Sequence, residues 1–150
     1  MRLWQRLRVR WAEVDAQRIV FNGHYLTYFD VAVTEYWRAI GLPYPDAISD
    51  AENDLFAVRS LVNYHAPAFF DDWLEVGIRV ARLGNSSIGF EFLIRRGSER
   101  VASGEVVYVN ADPVARRARP LPERLRAAIV RFETLAVAHD EDASDAPRAG

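Results

Sequence analysis

A carboxylate held in a loop just ahead of a helix can do acyl chemistry, and this chain offers one at Asp15. The segment from Glu13 to Gly23 mixes polar and apolar residues without alternation and reads as a loop, while from about Gly23 to Ile40 apolar residues recur at helical spacing. The first turn of a helix leaves backbone N–H groups without partners and carries a partial positive charge. N–H groups near Asn22, Gly23 and His24 would therefore stabilise an oxyanion developing on an acyl carbonyl, by about a few kcal/mol per donor. Asp15 would attack that carbonyl or activate a water that does. A thiol leaves readily enough to need no strong general acid, so the want of a full triad is no objection. Taken alone, an aspartate before a helix is more often a cap or a solvated loop residue, and its position leaves that reading open.

Composition narrows the remaining chemistry. The chain has no cysteine and no lysine, all 19 of its basic residues being arginine. Thiolate zinc sites, cysteine nucleophiles, Schiff bases and a P-loop lysine are thereby excluded. His24, His65 and His139 are too scattered to suggest a metal, and neither a metal nor an organic cofactor is expected. A net charge of −2 gives no global attraction to nucleic acid, so no nucleic-acid partner is expected. No apolar run reaches the length of a membrane span, so no membrane insertion is expected, and the first residues lack a secretory pattern, which points to the cytoplasm.

The elements that must position Asp15 follow from periodicity. Leu3, Leu7, Val9 and Trp11 alternate with Arg6, Arg8 and Arg10, predicting a strand from Leu3 to Trp11 with one buried face. Phe29, Ala32, Val33, Tyr36, Trp37 and Ile40 form the broad stripe of a deeply packed helix, with Asn22 and Gly23 suited to its start and Gly41 and Pro43 to its end. Strand-like runs follow at Leu55 to Tyr64, Trp73 to Ala81, Ile88 to Arg95 and Val101 to Asn110, separated by turn signals that favour antiparallel neighbours. After Pro120 and Pro122 a second helix carries Leu125, Ala128, Ile129, Phe132 and Leu135 on one stripe. The class is α+β, with one domain over residues 1–137 and a disordered acidic, alanine-rich tail over 138–150.

The stretch from Val9 to Leu26, with Asp15, the apolar step Ile19-Val20-Phe21 and the helix start Asn22-Gly23-His24-Tyr25, resembles the signature of the 4-hydroxybenzoyl-CoA thioesterase family, whose hotdog-fold members include the Tol-Pal-associated acyl-CoA thioesterases. The likeness continues through Asn63 to Val76, Gly84 to Phe92, Val101 to Glu105 and Arg119 to Pro122, so it covers nearly the whole chain before the tail. It implies a hotdog fold, a five-stranded antiparallel sheet wrapped around a long central helix with a C-terminal helix. It also implies an acyl-CoA or aroyl-CoA thioesterase in which Asp15 is the catalytic carboxylate, as nucleophile or general base, and the backbone N–H groups of Asn22 and Gly23 are the oxyanion donors. Members pair as homodimers, and often pair again as homotetramers, with the acyl pocket between subunits. Two departures stand out. Arg18 occupies a position where many members have glycine, which implies a looser loop and a positive charge available to Asp15 or to an anionic substrate. The turn before Ser87 is poor in basic residues, leaving Arg82 as the nearest cation for a nucleotide.

Beyond Asp15, the candidate substrate contacts are His24, Tyr25, Arg18, Asn63, Arg82 and Ser87. Each has a plainer reading: capping for His24, core packing for Tyr25, local strand hydrogen bonds for Asn63 and Ser87. His65, beside Pro67, reads as a turn residue. Asp30 and Glu35 are helix carboxylates of the kind a second hotdog branch uses, although Asp15 fits the first branch. Arg116, Arg117 and Arg119 form the densest basic cluster, either a solvated connector or a phosphate contact. Three rivals stand beside acyl-CoA hydrolysis, the third and least favoured being a hydratase for enoyl thioesters, whose hotdog members pair an aspartate with a nearby histidine in a different motif. The first is a thioesterase for acyl chains on a carrier protein, and the second a non-catalytic acyl-thioester-binding protein on the same fold.

Overall fold

Alternating apolar residues need a second layer to bury them, and the long aromatic helix supplies it. In the computed structural model, which describes the backbone of residues 1–144 and the side chains of residues 1–134, the order is β1 (Leu3–Arg8), α1 (His24–Ala39), β2 (Asp54–Tyr64), β3 (Trp73–Leu83), β4 (Ser87–Arg96), β5 (Glu99–Ala111) and α2 (Glu123–Ser144). All strand pairs are antiparallel in one five-stranded sheet of order β1-β3-β4-β5-β2. The α+β class and the strand count expected from the sequence both hold.

The core lies between the sheet and α1. Tyr25, Tyr28, Phe29, Ala32, Val33, Tyr36 and Trp37 are the buried face of the helix, and the inward residues of β3 and β4 (Leu74, Val76, Ile78, Ile88, Phe90, Phe92, Ile94) meet them. Phe29 stacks on Phe92 at 4.2 Å between centroids. That close approach requires Gly104 on β5, where a Cβ would stand 2.6 Å from the Phe29 ring. At its far end α1 is closed by Gly41, at φ +78°, with Gly41 N–H donating to Arg38 C=O at 3.0 Å and Leu42 N–H to Trp37 C=O at 3.0 Å.

The ends of β1 and of the C-terminal helix differ from the periodicity. β1 ends at Arg8, short of Trp11, because the Val9 backbone pairs with the turn before β3 (Val9 N–H to Asp72 C=O, 2.9 Å; Asp71 N–H to Val9 C=O, 3.1 Å). Trp11 then sits in a short 3₁₀ turn, Trp11–Glu13, and is 75% exposed instead of facing inward. The C-terminal helix runs to Ser144, so residues 138–144 of the expected disordered tail are helical. Residues 145–150, the remainder of the expected disordered tail, lie outside the described residues, as does the Leu135 side chain. Glu133 anchors α2 to the core: its Oε1 accepts from the Tyr36 hydroxyl at 2.7 Å and from Val80 N–H at 2.8 Å. Burial, and then the Glu133 carboxylate, hold the Tyr36 phenol far above its usual range.

Candidate active site

The loop that carries Asp15 is a tight turn. Val14 bridges Val20, Asp15 N–H donates to Ile19 C=O at 3.0 Å, and Arg18 N–H returns to Asp15 C=O at 2.9 Å. Arg18 adopts φ +63°, the left-handed region that glycine occupies freely. The looser loop implied by arginine at this position is therefore not what the chain forms. The surrounding hydrogen bonds hold the turn and oblige the arginine to fit it, at a strain cost of about 1 kcal/mol. The half-buried Asp15 carboxylate is itself oriented, Oδ1 accepting from Gln17 N–H at 2.8 Å. The loop is fastened at both ends: Val20 N–H donates to Ala68 C=O at 2.8 Å, and Phe21 N–H to Glu13 C=O at 2.9 Å. The Glu13 carboxylate accepts from Arg10 N–H at 2.8 Å and from the Tyr28 hydroxyl at 2.9 Å, tying the loop to α1. Burial, with Glu13 as the second cause, pushes the Tyr28 phenol well up.

The amino end of α1 faces the same space. Gly23 is the N-cap, with φ −68° and no capping side chain. His24 N–H is taken by Phe21 C=O at 3.0 Å, whereas among the described residues Asn22 N–H and Gly23 N–H donate to no protein acceptor. A cavity of about 410 Å³ opens between this end and the loop. Asp15, Gln17, Ile19, Val20, Asn22 and Tyr25 line one side, and Tyr64, His65, Ala66 and Pro67 at the end of β2 close the other. Its volume is that of a small-molecule site, with mostly apolar walls and few polar groups. Tyr25 is buried there, its phenol pushed up chiefly by that burial. The Tyr64 ring meets Tyr25 edge-on at 5.3 Å, and its hydroxyl donates to Asn22 C=O at 3.0 Å. His65 Nε2 lies 2.8 Å from Ser103 Oγ.

The structure thus brings together Asp15, Asn22 and Tyr25 in one cavity, with Gly23 adjoining through the helix start. The other candidates lie elsewhere on this chain. Arg18 is exposed, lines no part of the cavity and forms no ion pair among the described residues. His24 turns to Phe21, ring centroids 5.7 Å apart. Asn63 and Arg82 line two separate depressions that both include Glu91 and Glu105, of about 240 Å³ and 260 Å³. Ser87 begins β4, where its carbonyl accepts from Gly84 N–H at 2.8 Å. Gln17, Tyr64 and His65 are lining residues the sequence did not single out for the site. Strand parity held a partial signal for Tyr64, which shares its face of β2 with Val62, packed on the core.

A family model described as the thioesterase superfamily matches residues 17–103, from the middle of the Asp15 loop into β5. The chain belongs to the thioesterase superfamily. Thioester hydrolysis is the chemistry of that family, and its hotdog fold is the architecture described above. Within the thioesterase superfamily the chain is 28% identical over 121 residues to the acyl-CoA thioester hydrolase YbgC of Escherichia coli, covering 79% of this chain and 89% of that protein. It is 23% identical over 119 residues to the 1,4-dihydroxy-2-naphthoyl-CoA hydrolase of Synechococcus elongatus, covering 79% and 88%. A crystal structure from Pseudomonas aeruginosa superposes with a TM-score of 0.74 at 32% identity, over 87% of this chain and 90% of that one.

Proposed function

We propose that this thioesterase hydrolyses acyl-CoA or aroyl-CoA thioesters to the free acid and CoA, with Asp15 as nucleophile or general base and the N–H groups of Asn22 and Gly23 as oxyanion donors. The observation that carries the reading is one cavity lined by both the Asp15 carboxylate and Asn22, at a helix start whose Asn22 and Gly23 amides are unpaired among the described residues. With the carbonyl oxygen on those amides, negative charge would develop beside donors that no protein acceptor occupies, which stabilises the transition state more than the ground state. Asp15 either attacks the carbonyl carbon, forming a mixed anhydride that water then hydrolyses to the free acid, or takes a proton from a water that attacks the carbonyl directly. The C–S bond breaks, the electron pair leaves on sulfur, and the thiolate takes up a proton from solvent to give CoA. Tyr25, at the cavity wall beside the helix start, contacts the acyl group.

The acyl-CoA substrate is favoured by the activities for which YbgC and the naphthoyl-CoA hydrolase are named. A homodimer is favoured by β2, an edge strand of 11 residues with Val58 61% exposed and Leu61 also exposed, which a second copy would cover. Pairing of two such dimers gives the homotetramer, in which His24, Arg18, Asn63, Arg82 and Ser87 would serve substrate bound across subunits. No helix among the described residues is long and apolar enough to cross a membrane.

The deciding experiment is a hydrolysis screen over acyl-CoA and aroyl-CoA substrates with wild type and Asp15→Asn side by side, and carrier-protein thioesters in parallel. Loss of turnover in the variant with an unchanged melting temperature supports the assignment. Retention of most activity refutes it. Turnover confined to carrier-protein thioesters replaces the acyl donor, and saturable binding without turnover by the wild type makes the protein a binder.

A further inference from the structure

We infer that Tyr64 is a positioning residue for the oxyanion donors, acting through the backbone of Asn22 and not on the substrate; the inference rests on the proposed role of the Asn22 and Gly23 amides. A trans peptide is rigid and planar, so the direction of each N–H is set by whatever holds the carbonyl of the same peptide unit. The Asn22 N–H shares its plane with Phe21 C=O, which accepts from His24 N–H at 3.0 Å. The Gly23 N–H shares its plane with Asn22 C=O, which accepts from the Tyr64 hydroxyl at 3.0 Å. Each unpaired donor thus sits on a peptide whose opposite end is held, one by the helix start itself and the other by a side chain from the end of β2.

The second hold is the informative one. Nothing in α1 supplies it, because Gly23 has no side chain and the helix has no capping side chain at all. It crosses from residue 64 to residue 22, and the Tyr64 ring is braced edge-on against buried Tyr25 at 5.3 Å. A carbonyl that accepts a hydrogen bond also polarises its own peptide, so the Gly23 N–H becomes a stronger donor as well as a better aimed one. Tyr64 is 54% exposed in the single chain, so loss of its hydroxyl alone leaves the core packing in place and the ring contact to Tyr25 intact.

The test is Tyr64→Phe, which keeps the ring and removes only the hydroxyl. With acyl-CoA substrates the kcat is expected to fall about tenfold, less than the roughly 10²- to 10³-fold loss on deleting an oxyanion donor outright. KM is expected to stay within about twofold, since the bond acts on charge present only in the transition state. The melting temperature should be unchanged. A kcat equal to wild type overturns the inference, as does a raised KM with unchanged kcat, which would make Tyr64 a substrate contact. Asp15→Asn assayed alongside separates the two levels. An inactive Asp15 variant with a fully active Tyr64 variant sinks the positioning role alone, whereas an active Asp15 variant sinks the catalytic reading beneath it.

Discussion

The two ends of α1 are built to opposite specifications. At the carboxyl end Gly41 turns left-handed, the last carbonyls find partners, and the nearby Tyr36 hydroxyl is committed to Glu133 at 2.7 Å. At the amino end the N-cap is a glycine without a capping side chain, and the Asn22 and Gly23 amides remain unpaired among the described residues beside a cavity. Both residues are exposed, so water can satisfy these amides and leaving them without a protein acceptor costs the fold little, while the proposed chemistry would use them as donors. The closed end is satisfied within the protein; the open end is where the proposed chemistry would take place.

The sharpest way to break this contrast is to disable each end and ask which property is lost. Asp15→Asn at the open end should lower kcat by about 10³-fold, within the range for a lost catalytic base or nucleophile, while leaving the melting temperature alone. Glu133→Ala, on the element that closes the other end, should do the reverse. It strips the buried Tyr36 hydroxyl and the Val80 N–H of an acceptor and should cost about 2 kcal/mol in a urea unfolding series, with kcat preserved. If Glu133→Ala lowers kcat as much as Asp15→Asn does, the two ends are not separable.

Alkaline titration sharpens the same division. Tyr36 and Tyr28 ionise far above their ordinary range in the fold, and Tyr108 is pushed up to about 12, by burial first and then by Asp30 and Tyr44. A phenol whose folded pKa is raised favours the folded state fully below its unfolded pKa of about 10, and that stability drains away as pH rises from there through the folded value. Melting temperature should therefore be insensitive to these groups up to about pH 9 and decline above about pH 10. Tyr36→Phe should flatten that decline, measured by calorimetry across the alkaline range. The smallest expected effect is that of Arg18→Gly. Relief of the left-handed arginine should stabilise the protein by up to about 1 kcal/mol, with kcat unchanged if the turn already has its working shape. A large loss of activity would show that the Arg18 side chain meets substrate.

How far the chain could be read depended on the range of the interaction. The α1 stripe, the Gly41 stop and the alternation of β3 are local patterns, each written within one element, and they stand in the structure within a residue or two. Trp11 fits its alternation yet faces solvent, because Val9 chose a partner more than sixty residues away. Glu133 sits in an otherwise apolar helix stripe for a reason visible only when Tyr36 and Val80 are beside it. At the site, Asp15 and the helix start were legible because they are neighbours in sequence. Tyr64 and His65 were not, because β2 brings them to the cavity from the other edge of the sheet.

From the order of residues alone came the α+β class, the succession of elements and the placing of a carboxylate ahead of unpaired amides. Periodicity and capping are properties of a few adjacent residues, and such properties survive without a fold. The tertiary structure alone decided that Asp15 and Asn22 share a cavity, that Arg18 bends as a glycine would, and which phenol steadies the Asn22 carbonyl. Each of these depends on segments distant in sequence or on a turn held by its surroundings, and the free energy that selects them is gained only once the sheet has closed over the helix.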